Sequence, residues 1–315
     1  MALTNTNHLL AVRSLAVLLE TDPTQLQKIL QDFKRNYHSS TVVIKGKKRD
    51  ITAPSKELKS IQRKINRFIL KRFKFPDSMH GYNKGHSVNT NARVHVGKKF
   101  VAKYDIKSFF PSIHHARVDK IYRSLELNDQ QAQVLTTLST TNYCVPHGFP
   151  TSSTLAVLSL VNLDRRFQKA FEGYDFDYTF YSDDITISAN REIIGFETLI
   201  CKMIKQEGFK VKKDKKKYLG NYKRQKVTGN VVNEKVSLPI EQRELIKSIV
   251  NNCVIQGPST QINKYWEVFG EVKSREKSKA KLQERLLGMI KNVSILHKSY
   301  GQRLRRRYNQ IDWKL

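Results

Sequence analysis

Two adjacent aspartates, Asp183 and Asp184, interrupt what would otherwise be one β-rich run, with Tyr178–Ser182 before them and Ile185–Ser188 after. That pattern predicts a hairpin with acids at its tip. Asp is common in turns, so the pair taken alone reads as a polar loop. Its setting argues for more. The chain carries 57 Lys and Arg against 28 Asp and Glu, a formal net charge of +29. Side by side, two carboxylates repel, and each would be better placed next to one of those lysines. Two divalent cations ~3.5–4 Å apart remove the conflict, because they can clamp the attacking and leaving oxygens of a phosphoryl transfer. Mg²⁺ suits this role, since it keeps part of its shell for water and substrate phosphates. Asp105 closes the apolar run Phe100–Asp105 and completes the cluster if that strand lies beside the hairpin.

The charge excess points to the partner. Self-repulsion of this size is relieved by a polyanion, of which nucleic acid is the commonest. A membrane surface is the competing reading, but no apolar run approaches the ~18–20 residues of a spanning helix. The most apolar stretches, Leu9–Leu19 and Leu155–Leu163, are interrupted and suit buried helices. Cys144, Cys201 and Cys253 form no C-x-x-C pair. Neither disulfides nor zinc are expected, and a reducing cytoplasm is the simplest setting. No secretory signal is expected either, since the start lacks a basic stretch followed by an apolar core.

Along the chain, residues 1–40 predict a helical region, with Thr21-Asp22-Pro23 separating two helices. Thr41–Lys45 and Arg49–Thr52 predict short strands around a turn at Gly46, and Pro54-Ser55 opens a helix burying Leu58, Ile61, Ile65, Phe68 and Ile69. Gly81 to Asn91 reads as a loop, Leu155–Phe167 as a helix, and Glu197–Glu207 as a helix stopped by Gly208. The stretch from Cys201 to Lys226 holds 11 basic residues against two acids, Glu207 and Asp214. Pro239 begins a helical end that closes on Arg303, Arg305, Arg306 and Arg307 beside Tyr308. The fold class expected is α+β, with a mixed region over 41–235 and a helical one over 236–315.

Four motifs surround the acids in order. Arg49, Pro54-Ser55 and Leu58-Lys59 resemble the fingers motif R-x-I-x-x-P-x-x-x-L-K of reverse transcriptases. Asp105 with Phe110 resembles their first palm motif, Pro146-His147-Gly148-Phe149-Pro150-Thr151-Ser152 their P-Q-G-x-P-x-S, and Tyr181-Ser182-Asp183-Asp184 their Y-x-D-D box. Asn91-Ala92-Arg93-Val94-His95 resembles N-A-x-x-H and Val227-Thr228-Gly229 resembles V-T-G, the pair that marks the reverse transcriptases of bacterial retrons.

That resemblance implies a right-hand polymerase fold of fingers, palm and thumb, with the thumb in residues 236–315. It implies two Mg²⁺ ions held by Asp105, Asp183, Asp184 and the carbonyl of Ile106. Phe110 would be a steric gate against a ribose 2′-OH. Arg49, with Lys47 or Lys48, would meet the triphosphate of the incoming dNTP. Gly148 would let backbone approach the nucleotide, while His147 departs from the family's Gln and changes the donor geometry there. Lys215 is a candidate acid for the leaving pyrophosphate, or else one more backbone-binding charge. Asn91 and His95 either brace a loop or contact RNA; Val227, Thr228 and Gly229 would lie near RNA. Arg303 to Tyr308 would grip phosphate and stack on unpaired bases, unless it is simply a solvated helix end.

The partners implied are a structured non-coding RNA serving as template and primer, its RNA–DNA product (msDNA) started from a guanosine 2′-OH, a cellular RNase H, and an effector protein of an anti-phage system. The alternatives are an intron-derived or diversity-generating reverse transcriptase extending a 3′-OH, and a non-catalytic RNA-binding scaffold.

Overall fold

The computed structural model describes residues 2–44, 47–262 and 275–313. Two helices open the chain, α1 (Ala2–Leu18) and α2 (Pro23–Gln31). The Asp22 carboxylate caps α2, accepting from the Thr24 N–H at 2.9 Å, and Pro23 takes the first turn, where a missing N–H costs nothing. β1 (Tyr37–Ile44) and β2 (Lys47–Pro54) pair antiparallel. They are longer than the sequence implied, and the turn expected at Gly46 lies outside the described residues. Ser55 then caps α3 (Lys56–Phe68), accepting from the Leu58 N–H at 3.2 Å, and Leu58, Ile61 and Ile65 are buried along one face.

The segment from Gly81 to Asn91 corrects a sequence reading. It is not loop throughout, because α4 (Val88–Val94) begins inside it on a reciprocal cap between Ser87 and Thr90. Its Asn-rich composition hid the helix. β3 (Phe100–Asp105) follows, then α5 (His115–Arg123), α6 (Asp129–Ser139), α7 (Ser152–Leu158) and α8 (Val161–Ala170). The single helix expected over Leu155–Phe167 is therefore two. Next come β4 (Phe176–Tyr181), β5 (Asp184–Ala189), α9 (Glu197–Gln206) and β6 (Lys217–Gly220).

One four-stranded antiparallel sheet, ordered β4-β5-β3-β6, organises the middle of the chain. β5 and β3 are central and largely buried, which fits their apolar runs. The main core runs from Val12 on α1 through α3, α6, α7 and the sheet to Phe209. The hairpin of β7 (Lys226–Val227) and β8 (Asn230–Val231) packs on α4, with Ala92, Val101, Val227 and Val232 in a small cluster. The helices α10 (Ile240–Gln256), α11 (Arg275–Leu296) and α12 (Lys298–Tyr308) bury a separate cluster from Leu238 to Ile311. No helix among the described residues is long and apolar enough to cross a membrane.

Candidate active site

Strand register brings the three acids to one end of the sheet. Asp105, last in β3, stands opposite Asp184, first in β5, and Tyr181 flanks Asp184 from β4. The Ile106 N–H donates to the Asp183 carbonyl at 3.0 Å, tying the hairpin tip to the end of β3. Ser182 makes the turn with φ 58. A neighbouring segment props this tip: the N–H groups of His80 and Gly81 donate to the Phe180 carbonyl at 2.8 and 3.3 Å. A Cβ at Gly81 would sit 2.4 Å from the Ser182 nitrogen. Gly81 was not singled out in the sequence, and only its place at the head of a Gly- and Asn-rich stretch hinted at it.

The acids differ electrostatically. Burial above all pushes the Asp184 carboxyl up; Lys103 opposes this, and Asp183 and Asp105 add to it. Asp105 is buried but answered by charge, since Lys215 donates to Oδ2 at 2.8 Å and the Lys212 ammonium pairs with Oδ1. The Lys212 contact is an ion pair without hydrogen-bond alignment, leaving Oδ1 a buried oxygen with no hydrogen bond. Three carboxylates and a nearby backbone carbonyl make an all-oxygen donor set of the kind Mg²⁺ takes. Among the described residues no three acidic, His or Cys groups converge as a closed metal-binding group. The donor chemistry fits a divalent cation, with Asp105 turned here toward two lysines.

A cleft of about 850 Å³ opens beside the tip, lined by Arg49, Phe110, His147, Gly148, Asp183, Lys212 and Lys215 among others. All five residues expected to meet a nucleotide thus line one space. Lys48 lines it too, whereas the side chain of Lys47 lies outside the described residues. The Thr52 N–H donates to the His147 carbonyl at 2.7 Å, locking β2 to the Pro146–Ser152 motif. Gly148 is required there: its φ is +113 and a Cβ would lie 2.4 Å from the Thr52 carbonyl oxygen. The His147 ring packs on Phe110 with centroids 4.4 Å apart. Burial and then the Arg49 charge hold its imidazole below the usual pKa, so the ring is neutral at neutral pH and offers one N–H. Tyr82, also on this cleft with φ 60, went unnoticed in the sequence.

Several residues expected at an RNA surface are interior. His95 is fully buried, with Nδ1 2.7 Å from the Ser188 hydroxyl and Nε2 2.8 Å from the Thr179 hydroxyl. Asn91 is buried and its Nδ2 donates to Thr228 Oγ1 at 3.4 Å, while Thr228 donates to the Val88 carbonyl at 2.9 Å. The side chain of Val227 is in the small cluster. Of the two roles left open for Asn91 and His95, bracing is the one with contacts, and the two motifs turn out to hold each other. Gly229 is exposed on its turn. Tyr308 is a correction as well. It is buried, its ring packs on Trp313 at 5.5 Å and its hydroxyl donates to the Gln283 carbonyl at 3.3 Å. It is therefore not free to stack on a base. Arg303, Arg305 and Arg306 are exposed and Arg307 is half-buried.

The family model described as reverse transcriptase (RNA-dependent DNA polymerase) matches residues 33–232. The chain is 30% identical over 295 residues to the Retron Ec86 reverse transcriptase of Escherichia coli, covering 92% of this chain and 89% of that one. The chain belongs to the reverse transcriptases of bacterial retrons. It is also 30% identical over 227 residues to the Retron Mx65 reverse transcriptase of Myxococcus xanthus, with 65% of this chain covered. The Retron Se72 reverse transcriptase of Salmonella heidelberg is 32% identical over 195 residues, covering 61% of this chain. Those two matches span only about half of the relatives' lengths, 53% and 52%. Telomerase from Candida albicans aligns with 87% of this chain and 63% of its own, with a TM-score of 0.47 and 11% identity.

Proposed function

We propose that this chain copies a structured non-coding RNA into DNA, using that RNA as template and primer and extending a guanosine 2′-OH to give msDNA. One observation carries the polymerase reading: Asp105 and Asp184 are register partners next to Asp183, which lines a cleft whose walls also hold Arg49, Phe110, His147 and Gly148. The retron type, and with it the RNA partner and the 2′-OH, rests on the relatives matched above.

Asp105, Asp183, Asp184 and the Ile106 carbonyl would hold two Mg²⁺ ions. When bound, such ions activate the primer hydroxyl and stabilise the leaving pyrophosphate. Arg49 orients the triphosphate through its guanidinium fork. Phe110 lies under the sugar, where an aromatic face excludes a 2′-OH by clash, and His147 supports that ring. Lys215, protonated through its bond to Asp105, stands ready to give a proton to the leaving group. Residues 236–315 act as the thumb, with Arg303, Arg305 and Arg306 facing phosphate; their separate core supports this division. A cellular RNase H would trim the template and an effector protein would complete a defence system.

The test is expression with the neighbouring non-coding RNA gene, followed by sequencing of the copurified nucleic acid. Branched RNA–DNA with a 2′,5′ junction is the expected product. Linear cDNA from a 3′-OH would remove the retron priming. In parallel, Asp183→Asn with Asp184→Asn abolishes Mg²⁺-dependent synthesis and leaves RNA binding intact; unchanged synthesis sinks the catalytic assignment.

A further inference from the structure

Thr141 and Cys144 close a two-residue turn. The Thr141 N–H donates to the Cys144 carbonyl at 2.9 Å and the Cys144 N–H to the Thr141 carbonyl at 3.0 Å. Both central residues are left-handed, Asn142 with φ 47 and Tyr143 with φ 60. Asn suits the first place, but the second ordinarily goes to Gly, because a bulky side chain is strained there. Packing gives no reason for a tyrosine. Tyr143 is 76% exposed, and among the described residues its ring contact is with the exposed His115, centroids 5.3 Å apart. The His115 N–H donates to the Tyr143 carbonyl at 2.9 Å, so the turn is fastened to the start of α5 and the ring is presented on a rigid mount.

Position supplies the reason that packing does not. Thr141, Asn142 and Cys144 line the cleft that also holds Phe110, His147 and Asp183, so Tyr143 stands at its rim. An exposed, rigidly mounted aromatic beside a cleft in a +29 chain matches the π-face of a nucleobase, a face covered by stacked neighbours inside a duplex and open in a single strand. We propose that Tyr143 is the stacking platform for an unpaired RNA base entering the cleft, with the Asn142 amide meeting the base edge. This rests on reading the cleft as the nucleotide and template channel.

The full chain is tested on a DNA primer annealed to an RNA template, either blunt-ended or with a 5′ single-stranded overhang carrying 2-aminopurine. Wild type extends the primer, binds the overhang form more tightly and quenches the probe. Tyr143→Phe keeps all three. Tyr143→Gly relieves the turn, so its melting temperature holds or rises, yet it loses the quench. It also loses overhang-dependent affinity by about 5- to 150-fold, the range for one base–aromatic stack. The proposal is overturned if Tyr143→Gly binds the overhang as wild type does. It is equally overturned if blunt and overhang affinities fall together with the melting temperature, which marks a structural role. A wild-type chain that neither extends the primer nor tells the two substrates apart takes down the cleft reading itself, a result distinct from either of these.

Discussion

Lys215 Nζ donates to Asp105 Oδ2 at 2.8 Å, so the carboxylate facing Asp184 across the sheet is neutralised from its other side. The bond to Asp105 raises the Lys215 pKa. A lysine raised in this way keeps its proton throughout the physiological range, and loses the pair only as pH climbs through the raised value. Lys215→Gln removes the proposed proton donor without emptying the site, because Lys212 still pairs with Asp105. Single-nucleotide addition should slow by about 100-fold, at the low end for general acid catalysis, by a similar factor throughout pH 7 to 10, where the wild-type lysine stays protonated, with RNA affinity unchanged. Rapid-quench kinetics and an RNA-binding titration measure both.

Asp184 is the acid the fold holds at a cost. Its carboxyl is raised by burial first, with its two acidic neighbours adding to the effect. The sign follows from linkage: a carboxyl raised in the folded state stabilises the fold below its ordinary pKa, and that contribution drains away as pH rises through the raised value. At pH 7 without divalent cations, Asp184→Asn should therefore be more stable than wild type while making no DNA. A gain of about 1 kcal/mol corresponds to roughly 1–2 °C in melting temperature for a chain of this length. The difference should vanish near pH 3, where both forms are neutral, and calorimetry across pH checks it.

His95 offers the opposite case. Burial holds its pKa down to about 3, and the neutral ring bridges Ser188 on β5 to Thr179 on β4. Its share of stability is full above pH 6.5 and is lost as pH falls toward 3, because the unfolded chain takes up the proton first. His95→Ala leaves two buried hydroxyls unpartnered and a cavity, a loss of about 3 kcal/mol. Urea titration at pH 7 and pH 5 should show a smaller acid sensitivity in the variant. RNA affinity measured at low temperature on the folded variant should match wild type; a selective loss of RNA binding would restore the surface role.

The acidic box and its companion motifs were legible because their chemistry is local: carboxylates at a strand end, and Gly148 where backbone touches backbone. What was not legible depends on contacts far apart in sequence. Asn91 and Thr228 are 137 residues apart yet share a hydrogen bond, so no spacing rule pairs them. Tyr308 stands among arginines and looks solvated, but Trp313 and Gln283 draw it inward. The strand β6 was lost in a lysine-rich run because an edge strand needs little apolar alternation, with β3 supplying its ladder.

Gly81 tests whether the hairpin tip is positioned from outside the sheet. A methyl there meets backbone, not a side chain that could swing away: the Ser182 nitrogen at 2.4 Å and the Tyr181 carbonyl carbon at 3.1 Å. Something must shift, and the freer partner is the left-handed turn at Ser182 that carries Asp183. Because displacement of about 1 Å near reacting atoms can cost about 100-fold, Gly81→Ala should lower kcat by at least about 10-fold. The KM for dNTP should move less, since Arg49, Phe110 and Gly148 stand on other segments. Gly195→Ala is the control, as a Cβ there meets nothing within 4 Å. Steady-state kinetics on one primer–template compare the two, and equal activity would show that the tip holds its place without the segment around Gly81.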